Sequence, residues 1–118
     1  MERSLVDEDY CYLTTTGRVS GEPREIEIWF GLDGSTLYML SGGQDRSNWV
    51  KNLIREPRVS VRIAERTWEG RARVVSDADE DARARELLLA KYESRYGGDL
   101  SNWRETALPV AVDLSGSV

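Results

Sequence analysis

The apolar positions of this 118-residue chain change period several times, and each change marks an element. Residues 10–16 are aromatic, aliphatic and β-branched, the composition of a strand. Gly17 and Gly21 then bracket turn residues that close on Pro23, and glycines there can take positive φ. From Arg24 the pattern alternates. Ile26, Ile28 and Phe30 face one way and Glu25, Glu27 and Trp29 the other, so 24–30 reads as a strand half-buried on a core. Asp33-Gly34 is a hairpin signal, and 36–41 returns as a third strand, so 24–41 is predicted as one hairpin.

After Gly42-Gly43-Gln44 the period becomes helical over 45–56. Trp49, Val50, Leu53 and Ile54 share one face, Asp45 or Ser47 caps the start, and Pro57 ends it. Two strands follow at 58–64 and 67–75, with Glu65-Arg66 as their turn. Val59, Val61 and Ile63 point inward from the first, and Trp68, Gly70, Ala72 and Val74 share a face of the second. Asp77 opens a long helix, with Glu80 at capping-box spacing and Ala78, Ala82, Leu89, Tyr92 and Tyr96 as its apolar stripe; Gly97-Gly98 ends it. A short turn of helix at 101–105 and a last strand at 108–114 complete the chain. The order β-β-β-α-β-β-α-β predicts a mainly β domain, a small twisted six-stranded sheet closed into a barrel with peripheral helices. One domain over 1–118 is expected, with 1–9 as a solvated N-terminal arm and 115–118 as a frayed tail.

Composition narrows the chemistry. There is no histidine, which excludes Ser-His-Asp and Cys-His catalysis and every His-ligated metal. The one cysteine, Cys11, can form neither an internal disulfide nor a Cys-based zinc site, and reads as packing. A reduced, cytoplasmic setting follows. No run of about 18 apolar residues is present, so no membrane span is expected, and the acidic start does not read as a signal peptide. Chemistry, if any, is expected from a bound cofactor. Net charge is −5, against nucleic acid as a partner. Residues 17–66 carry eight basic and seven acidic side chains, whereas 67–118 carry seven and ten, so an anionic ligand is expected at the middle of the chain.

Two stretches offer anion-binding groups. In the first turn, Thr14, Thr15 and Thr16 supply hydroxyls, and Arg18 and Arg24 supply charge. The same residues also describe an ordinary solvated turn. In the second, Ser41-Gly42-Gly43 leads into a helix N-terminus with Arg46 beside it, though the spacing is not that of a Walker loop. Trp29, Phe30, Trp49, Trp68 and Trp103 can each face a flat ring or pack in a core or interface. Glu25 with Glu27 reads as a solvated face, the acidic run 77–81 as helix capping rather than a metal site, and Asn52 as the polar flank of the first helix.

The segments LTTTGRVSGEPREIEIWF, LYMLSGGQDRSNWVKNL and PRVSVRIAERTWEGRARVV together resemble the deazaflavin-dependent nitroreductase family. That family lies in the flavin/deazaflavin oxidoreductase group related to pyridoxamine-phosphate-oxidase-like proteins. The resemblance implies an FMN-binding-split-barrel-like fold and the deazaflavin coenzyme F-420, with FMN as the alternative. It implies hydride transfer from the reduced cofactor to quinone, nitro or activated-enone substrates. A non-catalytic flavin, deazaflavin or haem carrier or sensor on the same barrel is a third possibility, and a homodimer is expected. Carried over residue by residue, the phosphate side falls on Arg18, Ser20, Gly21, Arg24, Ser41, Gly42, Gly43 and Arg46. Trp29 and Leu40 match positions near the ring, and Trp49 and Asn52 match the helix motif W-x-x-N. The resemblance assigns no catalytic side chain and no metal. Many relatives carry a second basic residue where this chain has Val19, and a longer N-terminal helix over the substrate side. The substrate wall is therefore left unspecified by this chain, or is supplied by a partner subunit.

Overall fold

The computed structural model describes residues 5–96 and 99–116. β1 (Cys11–Thr16) and β2 (Pro23–Ile28) form the first hairpin, in register from Cys11 opposite Ile28 to Thr16 opposite Pro23. β3 (Gly31–Asp33) and β4 (Thr36–Ser41) form the second, around the predicted turn at Gly34. A 3-10 turn (Gln44–Arg46) leads into α1 (Asn48–Arg55). β5 (Arg58–Ile63), β6 (Arg66–Val74), α2 (Ala78–Tyr96), α3 (Ser101–Thr106) and β7 (Leu108–Leu114) follow. All the strands join one seven-stranded antiparallel sheet in the order β2-β1-β5-β6-β7-β4-β3.

The two edges of that sheet are consecutive in sequence. Only Trp29 and Phe30 separate β2 from β3, and three peptide steps span at most about 11 Å. The sheet therefore curls until its edges approach, giving a mainly β half-barrel with helices outside it. The expected six strands become seven because 24–30 does not run straight into a hairpin with 36–41. The peptide groups of Phe30 are claimed by α2 instead. Its N–H donates to Tyr92 Oη at 3.0 Å, and its carbonyl accepts from Lys91 Nζ at 3.0 Å. With both groups bound to side chains, the ladder stops at Ile28 and β3 starts on the opposite edge.

Two apolar clusters share the sheet. Inside the curl lie Leu13, Phe30, Leu37, Met39, Val59, Val61, Ile63, Trp68, Val110 and Val112, closed by Val50 and Leu53 of α1. Outside it, Tyr38, Leu40 and Ala111 pack under Ala84, Leu88 and Tyr92 of α2. β4 and β7 are buried on both faces, which is why their sequences are unbroken apolar runs rather than alternating ones. Asp77 caps α2 as predicted, its Oδ2 accepting the Glu80 N–H at 2.9 Å. The buried stripe of α2 is Ala84, Leu88 and Tyr92, while Ala78, Ala82 and Tyr96 of the expected stripe are exposed. The turn between β5 and β6 is Ala64-Glu65, one residue earlier than expected, with Ala64 at φ 54. Ile54, expected on the buried face of α1, is 58% exposed. Gly97-Gly98, the expected stop of α2, lies outside the described residues, as do 1–4 of the arm and 117–118 of the tail.

The described part of the arm lies against the barrel. Leu5 packs on the inner core, and Arg95 of α2 donates to the Asp7 carbonyl at 3.0 Å and to the Asp9 carboxylate at 2.7 Å. Among the described residues, no helix is long and apolar enough to cross a membrane.

Candidate functional site

The loop between β1 and β2 is closed by its own backbone. Gly17 N–H donates to the Glu22 carbonyl and Gly21 N–H to the Gly17 carbonyl, both at 2.8 Å. Gly21 sits at φ 76, where a side chain is strained. Ser20 Oγ accepts the Glu22 N–H at 3.1 Å and Arg24 Nη2 at 3.3 Å. The loop then folds onto α1 through Arg18. Its backbone N–H and Nη1 both reach Asn52 Oδ1, at 3.1 and 2.9 Å, and its Nη2 reaches Asn48 Oδ1 at 3.2 Å. Asn52 is itself buried, and its Nδ2 donates to the buried Thr15 Oγ1 at 3.3 Å. The solvated asparagine expected at 52 is thus the pin between β1, the loop and α1. Its register with Asn48 puts both amides one turn apart on one face, a spacing that was present in the sequence.

Between loop and helix lies a cleft of about 560 Å³. Ile26, Val19 and Trp49 give it apolar walls, and Arg18, Arg24, Ser20 and one carboxylate, Glu25, give it polar groups. That combination of apolar walls and few polar groups suits a flat ligand with an anionic end. The guanidinium of Arg18 is held by amide oxygens alone, and that of Arg24 by a hydroxyl. Neither forms an ion pair with a described residue. Both therefore present positive charge to the cleft without a paired carboxylate, although Glu25 also lines it.

The other candidate residues lie elsewhere. Ser41 is buried, and its hydroxyl meets the Gln44 carbonyl and Ser47 Oγ, each at 2.9 Å. A Cβ on Gly43 would stand 2.4 Å from Ser47 Oγ, so the loop needs glycine there for packing. Ser47 occupies the N-cap position of α1, but its hydroxyl is spent on Ser41 rather than on the helix. Gly42, Gly43 and Arg46 are exposed and do not line the hairpin cleft. Gly21 faces a neighbouring groove beside Thr14 and Arg58. Leu40 is buried under α2. Trp29 is stacked on Tyr92 with centroids 4.2 Å apart, and Tyr96 and Trp103 meet it edge-on. The structure thus gathers Arg18, Ser20, Arg24, Trp49 and Asn52 in one cleft, and keeps Trp29, Leu40 and the Ser41–Arg46 loop apart from it.

A larger cleft, about 760 Å³, opens on the other flank of α1, lined by Leu53, Ile54, Val74, Leu108, Arg73 and Arg85 among others. Gln44 reaches across its rim to the Thr106 carbonyl at 3.0 Å, from a backbone at φ 57. Here the arginines are neutralised: Arg73 by Glu80 and Asp113, Arg85 by Asp81. Size alone would favour this cleft, but its cations are already satisfied.

Titratable groups elsewhere give no nucleophile. Burial pushes the Cys11 thiol up to about 12, so it stays protonated and inert. Burial also lowers Lys91 to about 8, with Arg95 adding repulsion, while its Nζ sits 3.6 Å from the Phe30 ring centroid. No metal-binding cluster exists among the described residues.

The family model described as F-420H(2)-dependent quinone reductase matches residues 2–115. Among solved structures, a FAD-binding protein from Mesorhizobium loti matches with a TM-score of 0.70 and 16% identity, over 95% of this chain and 85% of that one. A structure described as an F-420 reductase matches at 0.66 and 20%, over 95% and 91%. A heme binding protein from Mycobacterium smegmatis matches at 0.69 and 18%, over 95% of this chain and 51% of its own. At these identities the three establish a shared fold alone, here a curled seven-stranded half-barrel rather than the closed six-stranded barrel expected.

Proposed function

The chain belongs to the F-420H(2)-dependent quinone reductase family, an oxidoreductase family that uses reduced coenzyme F-420, and on that premise we propose that the hairpin cleft holds the anionic side of the coenzyme. The observation that carries this is Arg18, a guanidinium fixed by Asn48 and Asn52 with no carboxylate against it. Arg24 and Ser20 stand beside it in the same cleft. The donor set fits a phosphate: two cations, a hydroxyl, and no acidic side chain bonded to them. Trp49 and Ile26 offer apolar surface next to those donors.

When bound, the reduced deazaflavin supplies a hydride, and a quinone that accepts it takes a solvent proton to become the hydroquinone. The protein's part is to bind, orient and exclude water, which requires no histidine and no thiolate. We extend the acceptor class to nitro compounds and activated enones, and place the protein in the cytoplasm as a homodimer. Tyr10 and Tyr96, 44% and 58% exposed beside Trp29, are the apolar surface we assign to the second copy. A monomer mass by light scattering would remove the dimer.

FMN is the second reading, favoured by Val19. This apolar residue, 94% exposed, occupies the tip of the loop, leaving Arg18 and Arg24 as the cleft's cations, enough for one phosphate. Incubating the protein with F-420, FMN, FAD and haem, then gel filtration with absorbance, separates the readings. F-420 should be retained, and F-420H2 should be oxidised with menadione or a nitroaromatic. Retention of FMN or haem in its place would overturn the proposal.

A further inference from the structure

The larger cleft opens where α1 and α2 do not meet over the sheet. α1 closes the inner core and α2 packs outside the curl, and Val74 and Leu108, lining the cleft between them, are only partly buried. Pro57, Pro109 and Ile54, an apolar side chain open to water, line it with them. The backbone at these walls is already engaged. Pro57 and Pro109 have no N–H, and their carbonyls take the Ala72 N–H at 2.8 Å and the Val75 N–H at 3.1 Å. The Ala107 N–H is bound to the Trp103 carbonyl at 3.0 Å. Charge is closed off in the same way, Arg73 by Glu80 and Asp113 and Arg85 by Asp81. An anion entering would have to displace those carboxylates and would meet Asp45, which also lines the cleft. A cation would meet the two guanidiniums. At the rim, Gln44 Nε2 donates to the Thr106 carbonyl at 3.0 Å, a bond that one polar end of a ligand can replace.

We propose that this cleft is a second ligand site, separate from the hairpin cleft, for an uncharged and mainly apolar molecule with at most one polar end. It does not rest on the coenzyme reading. Its volume, about 760 Å³, is that of a pocket for a small organic molecule rather than of a packing gap. Apolar surface on Ile54, Val74 and Leu108 drives the binding. A charged group on the same body would lose its hydration and find no unpaired partner in exchange. The two clefts therefore sort ligands by charge, with anions drawn to Arg18 and Arg24 and neutral bodies to Ile54 and Leu108.

The test uses two dyes that share one body. N-phenyl-1-naphthylamine is uncharged, and 1-anilinonaphthalene-8-sulfonate is the same molecule bearing a sulfonate. Each is titrated into the intact protein and followed by its own fluorescence. The neutral dye is expected to bind saturably. Ile54→Glu and Ile54→Lys put a charge of either sign at the mouth of the larger cleft. Because Ile54 already meets water, the urea midpoint should hold, and each variant should weaken the neutral dye about 10-fold or more. Val19→Glu puts a charge in the hairpin cleft instead. It should leave the neutral dye bound as before and weaken the sulfonate dye, which the Ile54 variants should not affect. Absence of saturable binding by the neutral dye overturns the site. So does loss of that binding in Val19→Glu with its survival in the Ile54 variants. Binding of the sulfonate dye that the Ile54 variants abolish overturns the sorting by charge. None of these results depends on whether the hairpin cleft holds a coenzyme.

Discussion

Arg18 and Arg73 sit on opposite flanks of α1 and are held in opposite ways. Arg73 is clamped between Glu80, at 2.6 and 2.8 Å, and Asp113, at 2.9 Å, and joins α2 to the sheet. Arg18 is equally well fixed, but by amide oxygens. A guanidinium between carboxylates has spent its charge on the fold, and one held by neutral oxygens has kept it for something else. The pattern repeats around each. Arg85, Arg95 and Arg104 pair with Asp81, Asp9 and Glu86 on the α2 side. Arg24, Arg46, Lys51 and Arg55 have no acidic partner among the described residues. The larger cavity lies on the spent side, so ion pairing, rather than volume, is what separates it from the proposed site.

The contrast can be broken by substitution. Leu88 of α2 is fully buried against the sheet, and Leu88→Ala should cost about 2–5 kcal/mol of stability in urea melts, with F-420 affinity unchanged in whatever fraction stays folded. Arg18→Ala should do the reverse, weakening F-420 binding by about 1.5–3 kcal/mol, roughly 10- to 150-fold, with little shift in the urea midpoint. If Arg18→Ala instead unfolds the protein as Leu88→Ala does, the two flanks are not different in kind. Tyr92→Phe removes the hydroxyl that accepts the Phe30 N–H and leaves that buried donor open, about 1–3 kcal/mol by the same measurement. Arg73→Gln should destabilise by about 1 kcal/mol, discounted because Arg73 is 41% exposed.

The smallest effect is in pH. The Arg73 guanidinium, with the Tyr38 hydroxyl helping, holds Glu80 down at about 2 from the usual 4.5. A depressed carboxylate stabilises the fold fully above its unfolded value and loses that contribution as pH falls from about 4.5 through about 2. Glu80→Gln should flatten the acid limb of the stability curve over that window and leave pH 7 binding alone.

The sequence was readable where causes are local. The alternation of Val59, Val61 and Ile63, the Asp33-Gly34 turn and the Asp77 cap depend on neighbours a few residues away, and each is where the pattern put it. The failures have distant causes. The strand ends at Ile28 because Tyr92 and Lys91 take the Phe30 peptide. Asn52 is buried because Thr15 and Arg18 come to meet it. The α2 stripe was misplaced because the helix carries few large apolar residues. The true face, Ala84-Leu88-Tyr92, needs Tyr38, Leu40 and Ala111 beneath it to be recognised. Of the residues named in advance, Arg18, Ser20, Arg24, Trp49 and Asn52 line the proposed cleft. That the two arginines among them have no carboxylate bonded to them could be learned only in three dimensions.

The break at Trp29–Phe30 has one more consequence. An unbroken strand through EIEIWFGLD would be one long edge with Ile26, Ile28 and Phe30 on a single face, longer than a sheet edge is usually left. Splitting it puts one half on each edge of the sheet. One half begins with Pro23, which cannot donate to a ladder, and alternates glutamates, and the other is only three residues long and ends in Asp33. The proline and glutamates of the first edge and the shortness of the second both discourage pairing with another chain. The same two hydrogen bonds that interrupt the ladder therefore also keep either edge of the sheet from running on into a longer one.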